Sequence, residues 1–194
     1  LLVLNSLGYD IHVAANAMLF GHRCRMTCPW ARVLVVELDD ATMAEQERLL
    51  DDIRPMVAAA VFSGKKSVHL FVPLARPIRN PRCVRARDWQ EFRDLKRSGG
   101  LGKKFRVPAV EESAEAIRRV VVDASGKEPD LHVLKNFASL TRAPGFRHGE
   151  TGRVSTLLHA NPDVKWDDPA PRPSMPEYGS PMGMTTGERV TGDR

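Results

Sequence analysis

Apolar residues recur along the chain in short β-branched runs and in one-sided helical patterns. The run RVLVVEL at residues 32–38 has the length and composition of a buried strand. Thr42 and Glu45 then form a capping box, which predicts a helix that Pro55 ends. Two further apolar runs flank the turn sequence SGKK and predict a β-hairpin. The predicted strands are residues 9–15, 32–38, 57–62, 67–74 and 153–160, and a second helix is predicted at residues 110–124.

This order of elements predicts one α/β or α+β sheet domain over residues 1–167. Residues 168–194 are rich in Pro, Gly, Ser and Met without an apolar period, which predicts a linker or tail. A length of 194 residues suits this division. The first ten residues, LLVLNSLGYD, contain neither an initiator Met nor a basic segment before an apolar core. They predict a fragment of a longer protein and not a secreted precursor.

The apolar runs and the cysteine content indicate where in the cell the protein is expected. No apolar run approaches the roughly 18 residues of a membrane span, so no membrane association is expected. The three cysteines, Cys24, Cys28 and Cys83, are too few for a disulfide scaffold and predict a reducing compartment such as the cytoplasm. His22 beside Cys24 and Cys28 invites a zinc interpretation, but no second close Cys/His pair follows. Buried thiols are therefore the expected state.

Positive charge is concentrated in one segment. The whole chain carries 29 Lys and Arg against 24 Asp and Glu, a net charge of +5. Residues 76–106 contain eleven basic and three acidic residues, so this basic block alone carries +8. Such a block predicts either a polyanionic partner or a solvated insertion loop. Trp89 and Phe92 within it could stack on bases or anchor the segment to the core.

Two acids lie two residues apart at the end of the first long strand. Side chains alternate along a strand, so Glu37 and Asp39 are expected on one face, with Leu38 turned into the core. Hard oxygen ligands of this kind suit Mg²⁺ or Mn²⁺ shared with substrate phosphates. Asp130, after a Gly/Pro break, is the candidate third carboxylate of a two-ion site. The alternative is that such acids only cap the following helix, a role expected for Asp40.

The hairpin sequence SGKKSVH, residues 63–69, offers groups that can bind phosphate. Backbone amides of the turn from Ser63 could cradle phosphate, with Lys65 or Lys66 nearby as point charges. Ser67 and His69 share a face of the strand and are predicted to contact a triphosphate. A serine nucleophile with its base is the weaker interpretation, because no orienting acid or oxyanion hole is evident. A plain hairpin with one inward His is the structural alternative.

A third group of residues is the arginine-rich sequence LTRAPGFRHGETGR. Arg142 and Arg147 bracket a rigid APG turn, and Arg153 follows the next turn. Forked guanidinium groups match phosphate oxygens in a bidentate manner. Surface arginines near glycine turns are also common, so this group alone indicates little.

Together these sequences resemble the archaeo-eukaryotic primase superfamily, and most of all the primase-polymerase domains of bacteriophages, plasmids and prophages. The resemblance rests on ELDD, a helix with EQ, then FSGKKSVH, then an acid near KNFASLTRAPG, and it covers about residues 9–166. It implies an α+β fold in which an α/β unit joins an RNA-recognition-like antiparallel sheet. It also implies a DNA primase or DNA polymerase, a nucleotidyltransferase of a bacterial or phage-infected cell.

The resemblance implies roles for individual residues. The acids that hold two Mg²⁺ or Mn²⁺ ions fall on Glu37, Asp39 and Asp130. Nucleotide binding falls on Ser63, Lys65, Ser67, His69 and Arg142. Template binding is expected from Arg85, Arg87, Lys103, Lys104 and Arg147. The implied partners are a single-stranded DNA template, an NTP or dNTP, and a helicase, fused or in trans.

The chain departs from the family pattern at several positions. Ser139 stands where related phage domains often carry a second Arg, and Gly64-Lys65-Lys66 replaces a commoner Gly-Gly-Lys. Pro129 precedes Asp130 in place of a hydrophobic strand, so Asp123 is the alternative third acid. Two other functions stay open. A non-catalytic single-stranded nucleic-acid-binding or initiator module would need no acid pair, and a metal-dependent nuclease would need no S-x-H triphosphate contact.

Overall fold

Two antiparallel sheets form the framework of the chain in a computed structural model that describes residues 5–6, 10–16, 18, 25–83, 89–98 and 106–164. The larger sheet has the strand order β2-β4-β3-β6. Its strands are β2 (Trp30–Val36), β3 (Ala59–Phe62), β4 (Val68–Arg79) and β6 (Thr156–Ala160). A smaller sheet pairs β1 (His12–Ala14) with β5 (Leu140–Arg142). The antiparallel pairing selects the α+β class over the α/β alternative.

Helices of very different length connect the strands. The α-helices are α1 (Met43–Ile53), α2 (Trp89–Arg97), α3 (Pro108–Ser125) and α4 (Leu131–Leu134), and 3₁₀ turns span Arg25–Thr27 and Arg54–Met56. The predicted capping box of α1 is present, because Thr42 and Glu45 exchange side-chain-to-backbone hydrogen bonds. Gly126 ends α3 in the left-handed conformation with φ of 69°. Within the described ranges, no helix is both long and apolar enough to cross a bilayer.

The core lies between the larger sheet and the helices. α1 and α3 pack against each other, and both contact β4. Leu49 of α1, Val121 of α3 and Leu34 of β2 belong to the same buried cluster. Burying apolar side chains of this size contributes about 1.5–3 kcal/mol each. This core fixes the ends of β2 and β4, where the candidate site lies.

Asn16 closes the outer edge of β2. Its side chain donates to the carbonyls of Val33 (2.8 Å) and Phe137 (2.9 Å). Its carbonyl oxygen accepts from the amides of Arg32 (2.7 Å) and Val33 (3.0 Å). Asn16 is 4% exposed. One buried carboxamide therefore satisfies backbone groups that an edge strand would otherwise leave unpaired.

β4 is longer than the sequence pattern predicted. The expected strand ended at residue 74, but β4 continues past Pro77 to Arg79 and so contains two prolines, Pro73 and Pro77. Among the described residues, β3 pairs with residues 68–71 of β4, and the later part of β4 has β2 as its single neighbour. The register to β2 also shifts between Ala31 and Val33. A one-sided, irregular ladder tolerates proline, which cannot donate a ladder hydrogen bond.

Part of the basic block is helical, so the described part of the block is not the solvated loop that one of its two interpretations predicted. α2 occupies its middle, with Phe92 fully buried and Lys96 and Arg97 exposed. Phe92 could have stacked on bases or anchored the segment to the core, and its complete burial supports the anchoring role. The short β5 and α4 were also not predicted, since three or four residues give no periodic signal.

The remaining differences are at element boundaries. β2 ends at Val36, so Glu37 lies just beyond the strand, and β6 begins at Thr156 and not at residue 153. β1 is three residues long, within the predicted range 9–15. The predicted domain limit at residue 167 and the predicted tail lie outside the described residues.

Candidate functional site

Glu37 lies where the ends of two neighbouring strands meet. It directly follows β2, and its Oε1 lies 3.5 Å from Nε2 of His69 on β4. Ser67, one residue before β4, lies near enough for its hydroxyl to help lower the pKa of the Glu37 carboxylate. Leu38 turns into the core, as the sequence predicted. The structure therefore brings the first acid together with the S-x-H pair.

Two opposing effects set the pKa of Glu37. Burial raises it, because the carboxylate is partly removed from water. Hydrogen bonds from His69 and Ser67, with the charges of His69 and Lys66, lower it and outweigh the burial. The pKa of Glu37 therefore lies below its usual value. Glu37 is ionised at neutral pH, the state that a cation-binding carboxylate needs.

Asp39 is paired with a cation from the hairpin turn. Nζ of Lys66 lies 3.3 Å from Oδ1 of Asp39 and donates to the Asp39 carbonyl at 3.2 Å. The side chains of Lys66 and Asp39 are 58% and 48% exposed. Solvent therefore reaches this carboxylate more readily than that of Glu37, whose side chain is 16% exposed.

Asp130 is attached to Glu37 through the main chain. Its amide donates to the Glu37 carbonyl at 2.8 Å. Its Oδ1 accepts from the amides of His132 (2.7 Å) and Val133 (3.3 Å), and so caps the N-terminus of α4. The alternative acid, Asp123, lies on the exposed side of α3. The main chain of Asp130 thus lies beside that of Glu37, but its carboxylate has the helix-capping role that was the alternative for these acids, so the choice of third acid stays a prediction.

Lys127 lies in the loop that leads to Asp130 and forms hydrogen bonds with the segment that follows Asp39. Its Nζ donates to the Asp40 carbonyl at 3.0 Å and to Oε2 of Glu45 at 2.9 Å. The Lys127 hydrogen bond, with those from Thr42, lowers the pKa of Glu45 to about 2. Sequence reasoning missed Lys127, because nothing in its neighbourhood indicates a contact more than 80 residues away.

Gln46 holds the start of β4. The residue is 2% exposed, and its Nε2 donates to the carbonyls of Ala41 and Lys66, both at 2.9 Å. Its Oε1 accepts from the amide of Val68 at 2.6 Å. These bonds bracket Ser67 on both sides and orient it toward Glu37. The signal in the sequence was the EQ pair of the helix.

Ser63 braces the hairpin turn from within. Its Oγ accepts from the amides of Lys65 (3.4 Å) and Ser67 (3.3 Å), and the Ser63 amide donates to the Ser67 carbonyl. Ser63 is buried. Two backbone amides of the turn, those of Lys65 and Ser67, are therefore already engaged by Ser63.

Gly64 is the residue through which this turn packs closely against the loop formed by residues 147–153. Its carbonyl accepts from Oγ1 of Thr151 at 2.7 Å, and Lys65 forms an ion pair with Glu150 of the same loop. The pKa of Glu150 is lowered, chiefly by the Lys65 hydrogen bond. Gly64 has φ of 85°, and a Cβ there would meet the Arg153 carbonyl oxygen at 2.9 Å.

Replacing Gly64 by alanine should detach the turn from this loop. Both the left-handed backbone and the close contact with a carbonyl oppose a Cβ, so we expect the free energy of unfolding to fall by about 1–3 kcal/mol. Denaturant unfolding measures this value. Gly152→Ala is the matched control, because its φ is 65° but no atom lies within 4 Å of the added Cβ. An equal loss in both variants would show that the contact with Arg153 contributes nothing.

Arg142 is held by Asp10 and not by the S-x-H residues. Arg142 is buried and forms an ion pair with Asp10, whose Oδ1 also accepts from the Gly149 amide at 2.7 Å. The hydrogen bond from Arg142 is the main cause that lowers the pKa of Asp10. Arg142 thus reaches the hairpin turn only through the loop of residues 147–153. Ser139 is also buried, and its hydroxyl donates to the Asn136 carbonyl at 2.6 Å.

The expected template-binding residues are only partly described. Arg85, Arg87, Lys103 and Lys104 lie outside the described residues. Arg147 is exposed, and its Nη1 donates to the Gly152 carbonyl at 3.1 Å. Arg153 lies over the ring of Phe62, 4.8 Å from its centroid. Exposed basic residues of the described part of the basic block are Arg76, Arg79, Arg82, Lys96, Arg97 and Arg106.

The acids fit a cation that is shared with a ligand better than a closed metal cage. In the part of the chain that the structure describes, no three His, Cys, Asp or Glu side chains converge as a metal site. Mg²⁺ is usually held by one or two carboxylates together with substrate phosphates. The oxygens of Glu37 and Asp39 match that donor set. Cys28 is buried with its Sγ 3.2 Å from the Trp30 carbonyl, while His22 and Cys24 lie outside the described ranges.

One solved structure shares this arrangement of helices and sheets. The chain is similar to the AEP domain of the primase-polymerase (PrimPol) of cyanophage S-2L, with 17% sequence identity and a TM-score of 0.51. The match covers 80% of this chain and 65% of that chain, slightly less than two thirds of its length. The chain therefore has an α+β, primase-like core, and the predicted fold class is confirmed. No protein-family model and no curated protein matches the sequence.

Proposed function

We propose that the chain is the catalytic core of a template-directed nucleotidyltransferase, a DNA primase or DNA polymerase that makes or extends primers in phage- or plasmid-type replication. One observation carries the proposal: Ser67 and His69 both contact the carboxylate of Glu37. The first acid of the proposed cation site therefore lies beside the hairpin residues proposed to bind triphosphate, and this proximity supports the proposal. The nucleotidyltransferase-like fold supports the same function.

In this proposal the acids hold the cation and the hairpin holds the nucleotide. Glu37, Asp39 and Asp130 would bind two Mg²⁺ or Mn²⁺ ions. When bound, such ions lower the pKa of an attacking hydroxyl and neutralise charge on the leaving pyrophosphate. Ser67 and His69 donate hydrogen bonds to phosphate oxygens, with Lys65 as a nearby charge. Glu37 orients both donors.

Arg142 requires a refinement of its expected role. Because Asp10 neutralises its guanidinium, we propose that Arg142 supports the loop behind the hairpin turn as long as no nucleotide is bound. Contact with phosphate would require Arg142 to exchange Asp10 for the ligand. The basic block, Arg147 and a helicase partner retain their proposed roles in binding template and in replication.

Primer extension on a single-stranded DNA template tests the proposal. Labelled dNTPs and NTPs are supplied in Mn²⁺ or Mg²⁺, with and without a primer, beside an Asp39→Ala variant. We expect metal-dependent incorporation that the variant lacks, and the unprimed reactions decide between primase and polymerase. Template binding without incorporation in any metal would instead indicate the non-catalytic binding module, and template cleavage would indicate the nuclease.

A further inference from the structure

The two lysines of the hairpin turn are held by different acids. Lys65 forms an ion pair with Glu150 of the loop at residues 147–153. Lys66 points the other way, with its Nζ 3.3 Å from the Asp39 carboxylate and 3.2 Å from the Asp39 carbonyl. The charge of Lys66 also lowers the pKa of Glu37. Its ammonium group thus acts on both acids of the proposed cation site.

We propose that Lys66 is an internal cation that neutralises this acid pair until a divalent ion displaces it. The inference rests on the proposed function, since it concerns the same acids. A carboxylate already paired with an ammonium group attracts a second cation less strongly, so Lys66 should weaken metal binding in the nucleotide-free protein. The pair is about half exposed, and exposed ion pairs are weak enough to be exchanged.

Displacement also gives Lys66 a second role. Its backbone is fixed, because Gln46 binds the Lys66 carbonyl at 2.9 Å, but its four-carbon side chain can turn. An ammonium group released beside Ser67 can donate to phosphate oxygens of an incoming nucleotide. Metal and nucleotide binding would then favour each other, because each stabilises the displaced position of Lys66.

Titration of nucleotide-free protein with Mn²⁺, followed by the electron paramagnetic resonance signal of unbound Mn²⁺, tests the inference. The variants are Lys66→Met and, as the matched control, Lys65→Met. Both remove one positive charge from the same turn, but only Lys66 is paired with Asp39. We expect Lys66→Met to bind Mn²⁺ about two- to fivefold more tightly than wild type, the range of an exposed ion pair. Lys65→Met should change the affinity by less than about 1.5-fold, because Glu150 already neutralises Lys65.

The outcomes separate this inference from the proposed function. Equal Mn²⁺ affinities of the two lysine variants, with binding lost in Asp39→Asn, would overturn the role of Lys66 alone. Weaker binding by Lys66→Met would do the same. Mn²⁺ that binds none of the nucleotide-free proteins would overturn this inference. If Mn²⁺ also fails to bind with a non-hydrolysable dNTP present, or binds Asp39→Asn as tightly as wild type, the proposed cation site is overturned as well. The melting temperature of each variant shows that the fold is retained.

Discussion

Replacing Glu37 by glutamine should reduce nucleotide incorporation by about 10³-fold, the order expected when one group that stabilises transition-state charge is lost. The substitution removes one negative charge and keeps the shape and the acceptor oxygen of the side chain. Ser67 and His69 can therefore still bind residue 37, and the fold should survive. What is lost is the anionic oxygen that the proposed metal requires.

Glu47→Gln is the control for this experiment. It makes the same chemical change on α1, ten residues away, at an exposed position. The rate of primer extension at saturating dNTP measures both variants, and circular dichroism confirms their fold. Retention of more than about a tenth of the wild-type rate in Glu37→Gln would remove Glu37 from the catalytic site, since direct metal ligands are rarely so dispensable.

Replacing Asn16 by alanine should lower the free energy of unfolding by about 3 kcal/mol, because several buried backbone groups lose their partner and each costs about 1–3 kcal/mol. The groups affected are the amides of Arg32 and Val33 and the carbonyls of Val33 and Phe137. Water cannot readily replace the side chain, since Asn16 is buried. The loss falls on β2, the strand that leads to Glu37.

Urea unfolding of Asn16→Ala, followed by tryptophan fluorescence, measures this effect. Asn161→Ala is the matched control, because the Asn161 side chain is bonded only to the exposed amide of Asp163 among the described residues. We expect the control to lose less than about 1 kcal/mol, as for an ordinary exposed hydrogen bond. Equal losses in the two variants would mean that the edge of β2 does not depend on Asn16.

The sequence predicted those parts of the candidate site that depend on residues close together in the chain, such as hydrophobic runs, strand alternation and turn sequences. The hydrophobic run of β2 placed Glu37 at its end, and alternation along β4 placed Ser67 and His69 on one face. The SGKK turn predicted the hairpin in which β3 pairs with β4. The sequence also placed the capping box of α1 at Thr42, because its two partners are three residues apart.

The parts that sequence missed depend on contacts between distant residues. Asn16 serves a strand 17 residues away, Lys127 reaches Glu45 across 82 residues, and Arg142 meets Asp10. None of these partners is implied by local spacing. The part of β4 beyond residue 74 was missed for a related reason, since its pairing with β2 alone depends on where its pairing with β3 ends. The helix α2 within the basic block was missed as well, and its Phe92 is buried by contacts that local spacing does not reveal.

In the proposed function, Glu37, Asp39 and the S-x-H pair form one site for a metal and a nucleotide. Paramagnetic broadening of backbone amide signals by Mn²⁺ and a non-hydrolysable dNTP tests this most directly. We expect strong broadening of the amides of Glu37, Asp39, Ser67 and Asp130, and little at Asn161, which follows the far end of β6. Broadening confined to other residues, or none at any Mn²⁺ and dNTP concentration, would contradict the claim.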